Sequence, residues 1–387
     1  MITTINNKHK KLNVPNLRFK EFQGEWEEST LEDVMKFSTT HVSSSELNED
    51  NYVSTENMLQ DYQGIVDAKS VPEDVNVISF SCGDILISNI RPYLKKVWKA
   101  TYNGGCSSDV FVLKANDNIE SDYLHYVIAN DKFINFVMSG AKGVKMPRGD
   151  KKQMKTYCLS LPQIQEQKKI ATLLRLIDER ISTQSKIIDK LQSLIKGIVD
   201  STISCKPKNS TIGYVCSVSE QIKAAPNLDD IITVRLHGKG VCKSSVENLQ
   251  LGATQYYHRK AGQLIYGKQN FHNGAIGIVP ENLNNAITSK DIPSFDIKSS
   301  KCNPLYLLIQ LQSPHYYKPA ESLTTGTGSK RLKEETFLKM PIFLPDKERQ
   351  DSIATLISSI MMKLNKADKT LNLLIKQKQY LLRQMFI

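Results

Sequence analysis

The chain has 387 residues, 40% of them hydrophobic, which is enough for two or three domains that each bury a core. Its 51 Lys and Arg residues outnumber its 40 Asp and Glu residues and give a net charge of +11, which favours a polyanion, with nucleic acid before membrane. The sequence has neither an apolar run of membrane-spanning length nor a signal-like start, and its 7 cysteines form no C-x-x-C pair. A membrane protein, a disulfide framework and a zinc site are therefore disfavoured, and a reducing cytoplasm is the predicted location.

The first predicted segments are a flexible polar arm, residues 1–14, and a domain covering residues 15–162. At the start of this domain Phe19, Phe22 and Trp26 are embedded among charges, and we expect their rings to pack on the domain. Thr30 precedes a short helix, because acidic residues follow it directly and acids stabilise a helix N-terminus.

The body of this domain mixes short strands with turns and helices. Runs of β-branched and apolar residues predict strands, a Gly-Asp pair predicts a turn, and a buried apolar stripe predicts a helix. The predicted elements are the strands Val77–Phe80, Ile85–Ser88, Val110–Leu113 and Tyr157–Leu161, the turn Ser81–Asp84, and the helix Tyr123–Val137.

Two stretches of the first domain concentrate positive charge. The loop GAKGVKMPRGDKKQMK combines glycines with many cations, and a basic-aromatic cluster follows Ile90. Such a loop can place cations against phosphates while its backbone comes close, and Arg, Asn and Gln can read base edges. The predicted DNA-binding residues of this domain are Arg91, Lys95, Lys96, Lys142, Lys145, Arg148, Lys151 and Lys152.

A long helix, residues 163–204, follows the first domain, and a second one, residues 346–387, ends the chain. The two copies superpose when Leu161-Pro162 is laid on Leu344-Pro345, and the same shift lays one IATL on the other. Apolar residues alternate in steps of three and four, which indicates a coiled-coil seam, and two such helices in one chain most simply pair with each other. The seam positions are Ile170, Leu174, Ile177, Ile181, Ile188, Leu191, Ile195 and Ile198, then Ile353, Ile357, Ile360, Leu364, Leu371, Leu374 and Leu381, with Lys378 as a polar exception.

Between the long helices, residues 205–345 repeat the plan of the first domain with lower fidelity. GQLI resembles the earlier GDIL, and Tyr306-Leu307 matches Tyr123-Leu124. The segment TTGTGSKRLKEE takes the place of the basic loop, with a small difference in length. The predicted DNA-binding residues here are Lys268, Asn270, Lys330, Arg331 and Lys333.

Catalytic motifs are missing from the sequence: it has no Walker-type loop, no G-x-S-x-G elbow and no H-E-x-x-H pair. Asn303–Tyr306 resembles the loop with which amino-methyltransferases hold a flipped base, but its second proline is absent. An Asn-Pro turn that opens a helix is the favoured interpretation.

Taken together, residues 12–387 resemble the specificity subunits of type I restriction–modification enzymes. The resemblance rests on VPNLRF and FQGEW near the start, on the basic loop, and on the doubled LP-x-x-x-x-Q-x-x-IATL helix, whose glutamines are Gln167 and Gln350. It implies an α+β fold with two mixed α/β target recognition domains. Two long helices would separate them, pairing as an antiparallel intramolecular coiled coil, with a pseudo-two-fold internal repeat. Arg349 stands where the first copy has Glu166, which argues against identical docking at the two helix starts.

The same resemblance implies a function without catalysis in this chain. Each recognition domain would read one half of a split site in double-stranded DNA, an asymmetric one because the domains differ in sequence. Two methyltransferase subunits would bring S-adenosylmethionine, and motor-nuclease subunits would join with ATP and Mg²⁺. A helix of ~35 residues spans about 50 Å, longer than one DNA turn, and could fix the half-site spacing. The alternatives are a free-standing DNA-binding regulator and a stand-alone adenine methyltransferase that uses Asn303–Tyr306.

Overall fold

The computed structural model describes residues 13–244, 254–326 and 329–387. The predicted N-terminal arm therefore lies outside the described residues except for Asn13 and Val14, as do Thr327 and Gly328 of the second basic loop. The chain divides into two units, which we call unit 1 (residues up to Ser185, with Thr370–Ile387) and unit 2 (Lys186–Lys369).

Unit 1 combines short strands and short helices with the ends of two long helices. The strands are β1 Glu27–Thr30, β2 Met35–Phe37, β3 His41–Ser43, β4 Tyr52–Val53, β5 Asn76–Phe80, β6 Ile85–Ser88, β7 Val97–Lys99, β8 Gly104–Cys106, β9 Val110–Ala115 and β10 Cys158–Leu161. The short helices are α1 Leu31–Val34, α2 Ser121–Ile128, α3 Asp131–Ser139 and α4 Lys151–Lys155.

A sheet in the order β2-β9-β6-β7 forms the centre of unit 1, and a second sheet has the order β3-β5-β8-β4. The sheet residues Ile85, Ile87 and Leu113 pack in one core with Tyr123, Leu124 and other apolar residues of α2 and α3. Trp26 belongs to that core and is only 4% exposed, so its ring is more deeply buried than a surface-packing residue would be. β1 and β10 pair antiparallel and bring the start and the end of the domain together.

The predicted single helix Tyr123–Val137 is wrong in one respect, because the structure has two helices there. α2 ends at Ile128, and Asn130 takes an extended conformation in which its side-chain oxygen accepts a hydrogen bond from the backbone of Lys132. An asparagine that caps a new helix offers the backbone an alternative to continuing the old one, and an apolar stripe does not reveal it.

Unit 2 has its own set of short elements. The strands are β11 Ser210–Thr211, β12 Cys216–Val218, β13 Lys223–Ala224, β14 Ile232–Val234, β15 Val241–Lys243, β16 Tyr256–His258, β17 Leu264–Tyr266, β18 Ile276–Ile278, β19 Ile287–Ser289, β20 Ser294–Ile297 and β21 Pro341–Ile342. The short helices are α6 Ile212–Val215, α7 Pro304–Leu311, α8 Pro314–Tyr317 and α9 Glu334–Lys339.

The topology of unit 2 repeats that of unit 1. Its central sheet has the order β12-β20-β17-β18, in which each strand corresponds to its counterpart in β2-β9-β6-β7. The GDIL and GQLI segments open β6 and β17, and Gly83 and Gly262 both have positive φ angles in the preceding turn. Their N–H groups donate to Ala100 and Val279 at 2.8 and 2.9 Å. The sequence repeat is therefore a repeat of structure.

Two long helices complete the chain, α5 (Ile164–Val199, followed by a π-helical turn, Asp200–Ser204) and α10 (Lys347–Met385). In unit 1 the start of α5, with Ile170 and Leu174, shares a core with Leu381 and Met385 at the end of α10. In unit 2 the end of α5 packs with the start of α10, including Ile353. The two helices therefore run antiparallel within each unit. Together with the sheets and short helices of each unit, this pairing confirms the predicted fold class.

Every position predicted for the seam is buried or half-buried, from Ile170 to Ile198 on α5 and from Ile353 to Leu381 on α10. Lys378, the polar exception, is placed within unit 1, where its ammonium group lies 2.6 Å from the Asp178 carboxylate. Asp178 also accepts a hydrogen bond of 2.9 Å from the Tyr126 hydroxyl. The lysine is thus accommodated by a polar cluster at the rim of the apolar seam.

His125, on α2, lies beside this polar cluster and should make unit 1 sensitive to acid. Burial, together with the charge of Lys378, lowers the pKa of His125 to about 4, and its Nδ1 atom has no hydrogen-bond partner. An unfolded histidine has a pKa of about 6.5, so between those values the unfolded chain binds more protons and stability falls as the pH falls. Between pH 7 and pH 5, the unfolding free energy of the unaltered chain should fall by about 2 kcal/mol more than that of His125→Gln.

Urea unfolding of both proteins at the two pH values measures this difference. His41→Gln, at an exposed position, is the matched control and should leave the pH dependence unchanged. An equally steep pH dependence in His125→Gln would show that another group causes it.

Candidate nucleic-acid interface

The basic loop of unit 1 contains a closed hairpin, residues 142–148, which we call hairpin 1. Lys142 and Arg148 exchange two backbone hydrogen bonds, of 3.1 and 2.9 Å. Hairpin 1 is also fastened to the segment after β6, because Arg91 N–H donates to Pro147 at 2.8 Å and Gly149 N–H donates to Asn89 at 3.0 Å. Two basic stretches that lie far apart in sequence are thus brought side by side.

The cations of hairpin 1 and its surroundings fall into two groups. Arg91, Lys145 and Lys152 have exposed side chains. Lys142 and Arg148 are also exposed but form ion pairs with Asp150 and Asp109, both at 3.0 Å. Surface ion pairs of this kind contribute little to stability, and their carboxylates are easily replaced by another anion. All five residues can therefore face a phosphate backbone.

Three other predicted DNA-binding residues of unit 1 are occupied by contacts inside the unit. Lys95 pairs with Asp131 at 2.8 Å, and the Lys96 ammonium donates to the carbonyl of Thr55 at 2.5 Å. Lys151 is half-buried and lies over the rings of Phe37 and Phe111, 5.2 and 4.7 Å from their centroids. These lysines hold neighbouring segments together and are poor candidates for DNA contacts.

Unit 2 pairs the two sides of its basic loop in the same way, and we call its described residues, 325–326 and 329–331, hairpin 2. Thr325 and Arg331 exchange hydrogen bonds of 3.1 and 2.9 Å, and Leu332 N–H donates to Lys268 at 2.8 Å. The shift that superposes the two long helices also relates these positions to Lys142, Arg148 and Gly149 without a gap. The small difference in length predicted between the two loops is therefore wrong for the hairpins.

The ion pair at the base of the hairpin also recurs. Arg331 lies 3.3 Å from Asp291, as Arg148 pairs with Asp109 in unit 1. Lys330 pairs loosely with Glu321 at 3.4 Å. Asn270 and Lys333 are exposed.

Lys268 differs from the other predicted residues of unit 2. Its side chain is only 15% exposed and its ammonium lies 2.9 Å from Glu334. It is therefore a structural residue in the described part of unit 2, while Asn270, Lys330, Arg331 and Lys333 remain available to a ligand.

Comparisons with known proteins agree with this arrangement. Residues 23–193 match the model of the type I restriction modification DNA specificity domain. The specificity subunit of the type I restriction enzyme MjaVIII from Methanocaldococcus jannaschii is 25% identical over 288 residues, 66% of this chain and 67% of that relative. The chain is thus similar to the specificity subunits of type I restriction–modification enzymes.

Further similarities are of the same kind. The specificity subunit of the type I restriction enzyme EcoDI from Escherichia coli is 24% identical over 32% of this chain and 28% of its own length. The crystal structure of a type I restriction-modification system S subunit from M. genitalium has the same fold, with a TM-score of 0.63 and 13% identity over 97% of this chain and 99% of that one. A chain from a structural study of type I R-M complex assembly gives a TM-score of 0.52 at 14% identity, covering 92% and 96%.

The prediction that the chain is a targeting subunit and not itself an enzyme is confirmed by these matches, which are to specificity subunits. Asn303 caps α7, accepting hydrogen bonds from the backbones of Leu305 and Tyr306 at 2.9 and 3.1 Å. Tyr306 is fully buried, and its hydroxyl donates to the carbonyl of Phe343 at 3.0 Å. The ring is thus unavailable for stacking on a flipped base, as the helix-opening interpretation expects.

Among the described residues, no group of three or more His, Cys, Asp and Glu side chains is arranged as metal ligands. Among the described helices, none combines the length and the apolar character needed to cross a bilayer.

The glutamine of the repeated helix motif has a role that sequence reasoning left unassigned. Gln167 and Gln350 are each only 1% exposed. Gln167 accepts from the backbone N–H of Glu120 at 2.8 Å and donates to the carbonyls of Pro162 and Asn118. Gln350 makes the same three bonds in the second copy, to the backbones of Asn303, Pro345 and Lys301. We call each three-bond contact a glutamine joint, because it connects a long helix to the recognition part of its own unit.

Glu166, the neighbour of the first joint, is buried by an intramolecular partner. Its carboxylate receives two hydrogen bonds from Arg18, at 2.8 and 2.7 Å, and is 1% exposed. This pair raises the pKa of Arg18. Glu166 thus binds the N-terminal segment through Arg18. Arg349, at the corresponding position of the second copy, is exposed instead.

Replacing Gln167 by Leu should lower the free energy of unfolding by about 2–3 kcal/mol, because buried backbone groups lose their partners. Urea or thermal unfolding measures the change. Gln165→Leu, at an exposed position two residues earlier, is the matched control and should change stability by less than about 0.5 kcal/mol. Equal stabilities for the two variants would contradict the role given to the first glutamine joint.

Proposed function

We propose that this specificity subunit directs a type I restriction–modification complex to an asymmetric, bipartite target in double-stranded DNA. Unit 1 reads one half of the target through hairpin 1, and unit 2 reads the other half through hairpin 2. The main observation in support is that both units present an anchored hairpin with an exposed arginine at its base, in the same register before a long helix. The family match supports the assignment to DNA specificity.

In this proposal the long helices have two roles. They set the distance between the half-sites, and they bind two adenine-N6 methyltransferase subunits through exposed apolar residues such as Leu176, Ile187 and Leu194 on α5 and Leu373 and Tyr380 on α10. S-adenosylmethionine is bound by those subunits, while motor-nuclease subunits bring ATP and Mg²⁺ for cleavage.

The test is to express the chain together with its modification subunits and to map methylated adenines in the host DNA. We expect one motif made of two different half-sites separated by a fixed spacer. The purified chain alone should methylate and cleave no DNA. A motif that is unchanged when this chain is replaced by another specificity subunit would contradict the proposal, and so would turnover by the chain alone.

A further inference from the structure

Hairpin 1 projects apolar side chains into solvent from the middle of a basic surface. Val144, at its tip, is completely exposed, with a relative exposure of 101%, and Met146 is 45% exposed. Lys142 and Lys145 flank Val144 in sequence, and Arg148 closes the hairpin. An isolated exposed apolar residue is common on protein surfaces, so exposure alone does not indicate a function.

The backbone geometry of hairpin 1 keeps the Val144 side chain exposed. The backbone bonds between Lys142 and Arg148, and those from Arg91 and Gly149 at its base, fix the loop at both ends. Gly143 has a φ of +95°, and an added Cβ there would lie 3.2 Å from the carbonyl oxygen of Met146. The turn thus holds Val144 outward in a conformation that glycine favours. A loop that is fixed at both ends and keeps an apolar side chain exposed to water is suited to binding a partner.

The charge around the tip selects the class of partner. Arg91, Lys142, Lys145, Arg148 and Lys152 are exposed around or within hairpin 1, so the apolar tip would approach a polyanion first. Cations can take the phosphates on either side of a DNA groove while the tip reaches the bases between them. On a base edge in the major groove, the group that an aliphatic side chain recognises is the thymine methyl.

We infer that Val144, supported by Met146, makes an apolar contact with a thymine methyl group in the half-site read by unit 1. This inference rests on the proposed function and adds a specificity-determining residue to it. At the corresponding positions of the second basic loop the sequence has Thr327 and Ser329, so the inference is made for the half-site of unit 1.

The test uses the complex with its modification subunits and duplexes in which each thymine of the mapped half-site is replaced in turn by deoxyuridine, which lacks the methyl. Under the proposed function the half-site contains at least one A·T pair, because it includes an adenine that is methylated. The unaltered complex should bind about fourfold more weakly when the contacted thymine is replaced. Val144→Ser should bind the thymine duplex more weakly by a similar factor and should no longer distinguish thymine from deoxyuridine at that position.

Two variants serve as controls. Val75→Ser removes an exposed valine of the same unit and should behave as the unaltered complex. Lys145→Ala should weaken binding to every duplex by the same factor, since a phosphate contact carries no base information. Because Val144 is fully exposed, its serine variant should keep the thermal stability of the complex.

The outcomes separate this inference from the proposed function. If the complex binds its mapped target no better than a scrambled duplex, the proposed function fails. If binding is specific but no thymine methyl matters, or if Val144→Ser keeps the full preference for thymine, the apolar contact is overturned and the proposed function stands. Loss of the modification subunits from Val144→Ser with DNA binding intact would assign the tip to a protein contact and would also overturn it.

Discussion

Replacing Arg91, Lys145 and Lys152 together by alanine should weaken DNA binding by about 100-fold at physiological salt and reduce the slope of log K against log salt by about 3. Each of these cations is exposed within or beside hairpin 1. For each phosphate contact that is lost, binding releases roughly one counterion fewer from the DNA. Binding of the complex to its target duplex over a series of salt concentrations measures both quantities.

The matched control removes the same charge elsewhere in unit 1. Lys20, Lys69 and Lys168 are exposed, and the triple alanine variant at these positions should change the slope by less than one. A second comparison uses Lys95 and Lys96, whose contacts with Asp131 and Thr55 make them structural: their substitution should lower stability more than it changes the slope. Equal slopes in the two triple variants would place the DNA surface away from hairpin 1.

Shortening both long helices should shorten the spacer of the DNA target. Deleting residues 182–188 from α5 and 368–374 from α10 removes seven residues from each and leaves the seam steps on both sides in phase. Each helix becomes about 10 Å shorter at ~1.5 Å per residue, which corresponds to about three base pairs of DNA. Mapping of methylated adenines should find the same two half-sites with a spacer about three base pairs shorter.

The control for this experiment deletes residues 182–188 alone, which puts the two helices out of register. We expect this variant to lose stability and activity together. A matched double deletion that is stable and methylates at the original spacing would show that the helices do not set the distance between half-sites.

The sequence was most informative where the signal is local and repeated. The steps of three and four along α5 and α10, and the shared IATL, located both helices and their apolar faces. The likeness of GQLI to GDIL corresponds to a real structural repeat, because Gly83 and Gly262 both have positive φ angles in the turn before the strand.

Contacts between distant segments could not be predicted in the same way. From the sequence, Lys268 is predicted to be a free cation. In the folded unit it forms an ion pair with Glu334, which is distant in sequence. Arg91 and Pro147 are joined by a backbone hydrogen bond, which the amino-acid sequence of the two segments does not predict. A single sequence also shows the recurrence of Gln167 as Gln350 without the backbone groups that each one satisfies. That recurrence was nevertheless a usable signal, because a polar residue repeated at the same place in a doubled motif needs a partner.

The glutamine joints have a consequence for the way such chains can change. Each joint ties the recognition part to the helix through backbone groups, at Glu120, Asn118 and Pro162 in unit 1 and at Asn303, Lys301 and Pro345 in unit 2. Backbone groups are present whatever the side chains are, so a foreign recognition segment that keeps the Leu-Pro boundary can replace the one that precedes either long helix. Recombination at these boundaries would exchange a whole recognition part in one step, while the sequences of the long helices stay unaltered.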